Sequence, residues 1–229
     1  MRVRVLCYNV HGFRVGIERL ATVVEPEEPD VVLVQEYGFH LPLRRFARRV
    51  GMRLVSGHRL LRPVQRNAVL VGEGWRVTRG ERRDLSGVPP RRRRGYLVAD
   101  LRKLGAAFSV ISVHLGLAGE KQALAHAREL TDFAAGLDRP VVLGGDFNQV
   151  PESSAVRWVA QRLFDAFAGP EQAEPTFPAR DPTARIDFLF VNDRVKVLKA
   201  WVGSGPDVDL ASDHRPIVAD LEIEEPGTI

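Results

Sequence analysis

Eight side chains in this 229-residue chain have the types and the placement to do chemistry on a phosphate: Asn9, Glu36, His114, Asp146, Asn148, Asp187, Asp213 and His214. Most of them stand at an end of an apolar, strand-like run. Glu36, Asp146, Asp213 and Asn9 offer hard oxygen ligands, the two histidines can move protons, and the asparagine amides can hold a phosphate oxygen. No cysteine or histidine pair has zinc-site spacing. Glu36 with amide and water oxygens suits Mg²⁺ or Mn²⁺, which take octahedral oxygen coordination with few protein carboxylates. A metal beside a phosphate, with a carboxylate or histidine to activate water, amounts to hydrolysis of a phosphoester. Singly, each residue also has a purely structural reading. A carboxylate ending a strand can cap a helix, Asp146 and Asn148 in GGDFN are natural turn formers, and a lone histidine is commonly a satisfied core or surface group. Asp187 is harder to dismiss, because it opens the apolar run IDFLFV, where an unpaired charge is costly; it needs a partner, and a histidine is the obvious one.

The elements that must position these groups can be read from alternation, β-branched enrichment and turn residues. Strands are expected near 2–10, 31–36, 53–56, 68–72, 75–83, 94–102, 106–114, 140–146, 186–192, 197–203 and 215–223. Helical stripes occur at Ile17, Leu20, Ala21 and Val24, along Ala123 to Leu137 within 119–137, and at Val156, Val159, Ala160 and Leu163; residues 41–50 read as a basic helix. Asn9, Glu36, His114 and Asp146 end their strands, whereas Asp187 and the pair Asp213 and His214 precede theirs. If all line one rim, the last two strands run antiparallel to the first four, which excludes an all-parallel sheet and predicts mixed sheets in an α/β layered fold.

Composition sets the limits. With 45% hydrophobic and 27% charged residues, the chain can bury a real core and reads as one domain over 1–229. Disorder, collagen-like repeats and disulfide scaffolds do not fit. Cys7 is the one cysteine and reads as a small core side chain. No apolar run approaches the roughly 20 residues that span a bilayer, so no transmembrane segment is expected and the default is a cytoplasmic monomer. The net charge is only +4, but residues 41–95 hold 16 arginines and no lysine against Glu73, Glu81 and Asp84. Such a segment suits a polyanion such as nucleic acid or a phosphate-bearing small molecule; the plainer reading is solvated arginine in an arginine-rich chain.

The ordered series YNVHG (8–12), VQE (34–36), VHL (113–115), GDFN (145–148), TFP (176–178), RIDF (185–188) and SDHRPI (212–217) resembles the endonuclease/exonuclease/phosphatase superfamily, the group of deoxyribonuclease I, exonuclease III, inositol polyphosphate 5-phosphatases and bacterial sphingomyelinases. The resemblance runs from residue 8 to residue 217. It implies a four-layer α/β sandwich, two packed mixed β-sheets flanked by helices. It also implies roles: Glu36 as principal metal ligand for Mg²⁺ or Mn²⁺, with Asn9 and Asp213 completing the coordination or holding its water. Asp146 would orient or deprotonate the attacking water, Asn148 would hold the phosphate, and His214, kept in place by Asp187, would contact the scissile phosphate. His114 would donate to a non-bridging or leaving oxygen. Asn67 and Arg94 lie where family members place substrate-side polar groups, and His11 and Phe177 are further candidates, although His11 could equally bond a loop carbonyl and Phe177 could pack on its own scaffold.

The departures narrow the substrate. Apurinic-endonuclease relatives usually carry Tyr at the position of His114 and continue differently from GDFNQVP, so abasic-site repair is disfavoured. The export signals and disulfides of secreted members are missing from these residues. The expected function is a divalent-metal-dependent phosphodiesterase acting on nucleic acid, with a phosphoesterase of a nucleotide, inositol phosphate or lipid headgroup as the alternative. A binding protein that kept only the fold is opposed by the filling of every expected catalytic position.

Overall fold

The structure, a computed structural model, describes residues 1–55, 66–87, 94–117, 119–169 and 174–224. Two six-stranded sheets organise it. The first runs β11 (Val195–Val202), β12 (Ile217–Ile223), β1 (Arg2–Asn9), β2 (Val31–Gln35), β4 (Ala68–Val71), β3 (Arg53–Val55). The second runs β5 (Arg76–Asp84), β6 (Gly95–Lys103), β7 (Ala106–His114), β8 (Val141–Asp146), β10 (Asp187–Val191), β9 (Phe164–Asp165).

The central strands are apolar on both faces because both faces are covered. On β1, Val3, Val5 and Cys7 enter the core between the sheets together with Val31, Leu33, Val110, Val142 and Leu189. The alternate side chains Leu6 and Tyr8 face outward onto α1 (Ile17–Val24), α2 (His40–Arg49) and α5 (Pro206–Ala211), through Leu20, Phe46 and Val208. Ile111, Val113 and Leu143 of the second sheet likewise meet α3 (Glu120–Ala135) and α4 (Ser154–Ala160), through Ala127, Leu130 and Val156. The result is the expected helix, sheet, sheet, helix sandwich, with Cys7 buried between the sheets.

Strand directions follow the rim argument. β1 and β2 are parallel and β12 is antiparallel to β1; β7 and β8 are parallel and β10 is antiparallel to β8. Register then does the positioning. Gly95, His114, Asp146 and Asp187 are successive cross-strand partners on β6, β7, β8 and β10, so one line across the second sheet carries three of the eight candidate groups. The double glycine before Asp146 lets β8 lie this close to its neighbours. A Cβ on Gly145 would sit 1.9 Å from the Val113 carbonyl oxygen, and one on Gly144 would sit 2.8 Å from Leu33 of the opposite sheet.

Two elements were not expected. β9 is two residues long and α5 six, too short for either periodicity to register. The stripe expected to continue to Leu163 is shorter as a helix: α4 starts where Ser153 accepts the Val156 N–H at 3.2 Å and ends at Ala160, which is exposed.

Candidate active site

The second sheet and the end of β1 build a buried proton-handling group. Asp146 and Asp187 face each other across β8 and β10, and both are buried. His214 donates from Nδ1 to Asp187 Oδ2 at 2.9 Å, and the same oxygen accepts the Thr176 hydroxyl at 2.6 Å. This is the partner that Asp187 required. The other ring nitrogen, Nε2, lies 3.7 Å from Asp146 Oδ2 and 3.4 Å from Asn9 Nδ2, while Phe177 packs beside the ring with centroids 4.9 Å apart. Burial works against a charged His214, but Asp187, Asp146 and Asp213 outweigh it and raise its pKa to about 9.

Asp146 is held at both oxygens. Asn9 Nδ2 donates to Oδ2 at 3.0 Å, and the Asn148 backbone N–H donates to Oδ1 at 2.8 Å. Burial, followed by the neighbouring charge of Asp187, nevertheless pushes its pKa up to about 7, against the pull of His214 and these two donors. A carboxylate poised near neutrality is suited to take a proton from water. Asn148 adopts a left-handed backbone, φ 51°, which turns its side chain back to the site, where Nδ2 donates to the Leu115 carbonyl at 2.9 Å and lies 3.0 Å from His114 Nε2.

His114 is buried at the end of β7. Arg94 Nη1 approaches its Nδ1 at 3.0 Å. The Arg94 guanidinium, charged and donor-only, claims Nδ1 as acceptor, and the ring proton goes to Nε2, the nitrogen that faces carboxylates; the Asn148 amide gives its N–H to the Leu115 carbonyl and is a packing contact, not a donor, to that nitrogen. That nitrogen points toward Asp146 Oδ2 at 3.4 Å and Glu36 Oε1 at 3.5 Å. Burial and the charges of Arg94, His214 and Arg66 hold the ring's pKa well below the usual histidine range.

Glu36 differs from the other carboxylates. It follows β2 with a left-handed φ of 52°, its side chain is about one-third exposed (35%), and no arginine or lysine lies within salt-bridge distance among the described residues. Glu36, His114 and Asp146 bring a ligand atom each within 4.8 Å of one another, as do Asp146, Asp187 and His214. In the second trio Asp187 is committed to His214 and Thr176, and His214 Nε2 is the atom left over. In the first, both Asp146 oxygens already accept hydrogen bonds, whereas Glu36 has no arginine or lysine partner among the described residues and is the carboxylate open to a divalent cation with oxygen preference.

Three predicted residues lie differently from their expected contacts. Asn9 turns its amide nitrogen toward Asp146 and its Oδ1 to the His11 N–H at 3.1 Å. Asp213 stands outside both trios and faces His11 Nδ1 at 3.3 Å. Asn67 is buried and donates to the Gly95 carbonyl, next to Arg94, and its Oδ1 has no partner among the described residues. Thr176, Ser212 and Arg66 are the contributors that spacing did not reveal as such: Thr176 secures Asp187, the Ser212 hydroxyl bonds the Asn9 carbonyl at 2.6 Å, and Arg66 adds positive charge near His114.

The basic segment divides in two. Arg94 and Arg66 act on His114, and Arg82 reaches Tyr37, the neighbour of Glu36, at 3.2 Å. Elsewhere Arg49 pairs with Glu18 and Glu25, and Arg79 and Arg83 with Glu81, so these are solvated ion pairs. Arg59, Arg62 and Arg91 to Arg93 lie outside the described residues.

A sequence model of the Endonuclease/Exonuclease/phosphatase family matches residues 6–214. Among curated proteins, none matches in sequence. Solved structures similar in fold include an endonuclease/exonuclease/phosphatase from Bacteroides vulgatus, with 21% identity, TM-score 0.84, and coverage of 98% of this chain and 100% of that one. D. rerio TDP2 complexed with single strand DNA product has 16% identity and TM-score 0.80, covering 96% and 99%. The mannosyl-6-phosphatase Bt3783 of Bacteroides thetaiotaomicron has 18% identity and TM-score 0.79, covering 96% and 100%. No described helix is long and apolar enough to cross a membrane.

Proposed function

Because the chain belongs to the Endonuclease/Exonuclease/phosphatase family of phosphoesterases, we propose that it hydrolyses phosphodiesters in nucleic acid with the aid of Mg²⁺ or Mn²⁺. The carrying observation is the buried chain Asn9, Asp146, His214, Asp187, Thr176 beside an unpaired Glu36. Glu36 would hold the metal, with Asn9 and Asp213 nearby to hold its water or complete its coordination. When bound, the ion supplies positive charge to the phosphoryl oxygens and acidifies water.

Asp146 takes the proton of the attacking water; the amide of Asn9 and the N–H of Asn148 aim its oxygens. His214, charged and anchored through Nδ1, presents Nε2–H to the scissile phosphate. The Asn148 amide and the Nε2–H of His114 stabilise the non-bridging and leaving oxygens, and Arg94 fixes the tautomer that makes His114 a donor. Asp187 and Thr176 act through His214.

Arg66, Arg82 and Arg94 place cations on the Glu36 and His114 side, where backbone phosphates of a polymer would pass. The fold's likeness to a DNA-bound TDP2 supports this reading, and its likeness to a mannosyl-6-phosphatase supports the small-phosphate alternative. The purified protein should be assayed on supercoiled plasmid, single-stranded oligonucleotide, RNA and bis-p-nitrophenyl phosphate across a salt series. Polymer cleavage that falls steeply with salt, alongside a nearly salt-independent small diester, is the expected result. Cleavage of the small diester alone refutes the nucleic-acid reading.

A further inference from the structure

Beside the catalytic groups lies a cavity of ≈ 300 Å³ that shares only its His11, Ser212 and Asp213 rim with the site. Its wall on one side is the turn after β1, with Arg14 and Val15; on the other it is the 178–180 loop, ending in Arg180. The two walls are stitched to the site: Ser212 bonds the Asn9 carbonyl, and the Ala179 N–H donates to the Asp213 carbonyl at 2.7 Å.

The charges in this cavity are unevenly matched. Its two acids are taken, Asp209 by Arg215 at 2.9 Å and Asp213 by His11 at 3.3 Å. Arg14 and Arg180 are exposed and make no side-chain hydrogen bond or ion pair among the described residues. Two guanidiniums without a partner among the described residues line one pocket and suit an anion, phosphate above all. The lining also offers apolar surface from Val15, which is 48% exposed, and from Pro178 and Ala211.

The turn that presents Arg14 is conformationally costly. His11, Gly12 and Phe13 are successive left-handed residues, with φ of 43°, 66° and 59°, and Asp181, next to Arg180, has φ 59°. Left-handed backbone at residues with a Cβ is strained and gathers where function maintains it.

We propose that this cavity is a subsite for the nucleoside that adjoins the scissile phosphate, with the next phosphate bound by Arg14 and Arg180. The inference rests on the phosphodiesterase reading of the adjacent site and adds a demand of its own: the substrate carries a second phosphate one nucleoside away. That phosphate belongs either to a polynucleotide or to a free nucleotide.

Calorimetric titration of the protein with thymidine 3′,5′-bisphosphate and with each thymidine monophosphate tests it. The bisphosphate should bind about tenfold tighter than either monophosphate, and Arg14→Ala/Arg180→Ala should reduce the ratio to near one. Arg14→Lys/Arg180→Lys should keep part of it. Both arginines are exposed and have no partner among the described residues, so the variants should fold, as circular dichroism would verify. Equal affinities in the natural protein, or a ratio unchanged in the alanine variant, overturns the subsite. Oligonucleotide cleavage separates the sources: a phosphate preference without polymer cleavage leaves the subsite standing and removes the polymer reading, while cleavage without the preference does the reverse.

Discussion

The two halves of the site are built on opposite plans. Asp146, Asp187 and His214 are buried, and the two carboxylates are held at distances between 2.6 and 3.0 Å by Thr176, Asn9, Asn148 and His214 itself. Around Glu36, His11 and Asp213 the side chains are 29–38% exposed, Glu36 has no cationic partner among the described residues, and His11 and Asp213 satisfy one another. The closed half is preorganised for moving protons, which needs fixed geometry and shifted pKa values. The open half keeps unspent negative charge where a cation and a substrate must arrive. A site closed throughout would have nothing left to bind with.

If that division is right, damage to the closed half should fall on turnover. Asp146→Asn should lower kcat by roughly 10²–10⁴-fold, the usual worth of a general base, while calorimetric metal affinity stays close to the natural value. Comparable loss of metal binding would place Asp146 in the open half instead.

Next in size is the coupling inside the closed half. His214→Ala should be nearly as severe, and Asp187→Asn should cost about 10²-fold. The double variant should be no worse than His214→Ala alone, because Asp187 acts through that ring; a double-mutant cycle with additive losses would separate them.

The pH dependence of the metal-free protein sharpens the same point. The His214 ring should titrate near pH 9 by NMR, and Asp187→Asn should move it down toward 6.5. Since the folded pKa lies above the unfolded one, the charged ring stabilises the fold fully below about pH 6.5, and this contribution is lost as pH rises through about 9. Chemical denaturation at pH 6 and pH 10 should show that loss, and Asp187→Asn should diminish it.

The smallest expected effect sits where the halves meet. Arg94→Ala should cost about tenfold in kcat, with Arg94→Lys intermediate. Nitrogen-15 shifts of His114 should report the Nε2–H tautomer in the natural protein and a tautomer mixture in Arg94→Ala. An unchanged tautomer would show that burial alone decides it.

Much of this was legible in the sequence because the groups sit at strand ends. A buried strand of alternating or continuous apolar residues is recognisable by pattern, and its first polar residue marks a rim, as in VVLVQE and PVVLGGD. The change from ending to opening a strand at Asp187 fixed its direction relative to β8, and the mixed topology followed. Pattern carried no information on which polar atom faces which. Asn9 could have offered oxygen or nitrogen to its neighbour, and only the fold turns the nitrogen to Asp146. Arg94 looked like the tail of an arginine run, and its contact with His114, twenty residues away in the chain, arises because Gly95 is the cross-strand partner of His114. Thr176 reaches Asp187 from a loop with no period at all.

The most direct measurement is hydrolysis of bis-p-nitrophenyl phosphate by the natural protein and by Glu36→Ala, each titrated with Mg²⁺ and Mn²⁺ after chelation. Activity that returns with metal in the natural protein and stays at least 10²-fold lower in Glu36→Ala at saturating metal is the outcome predicted for an open half built to hold a cation. Turnover that needs no metal, or a Glu36→Ala variant as active as the natural protein, would contradict it.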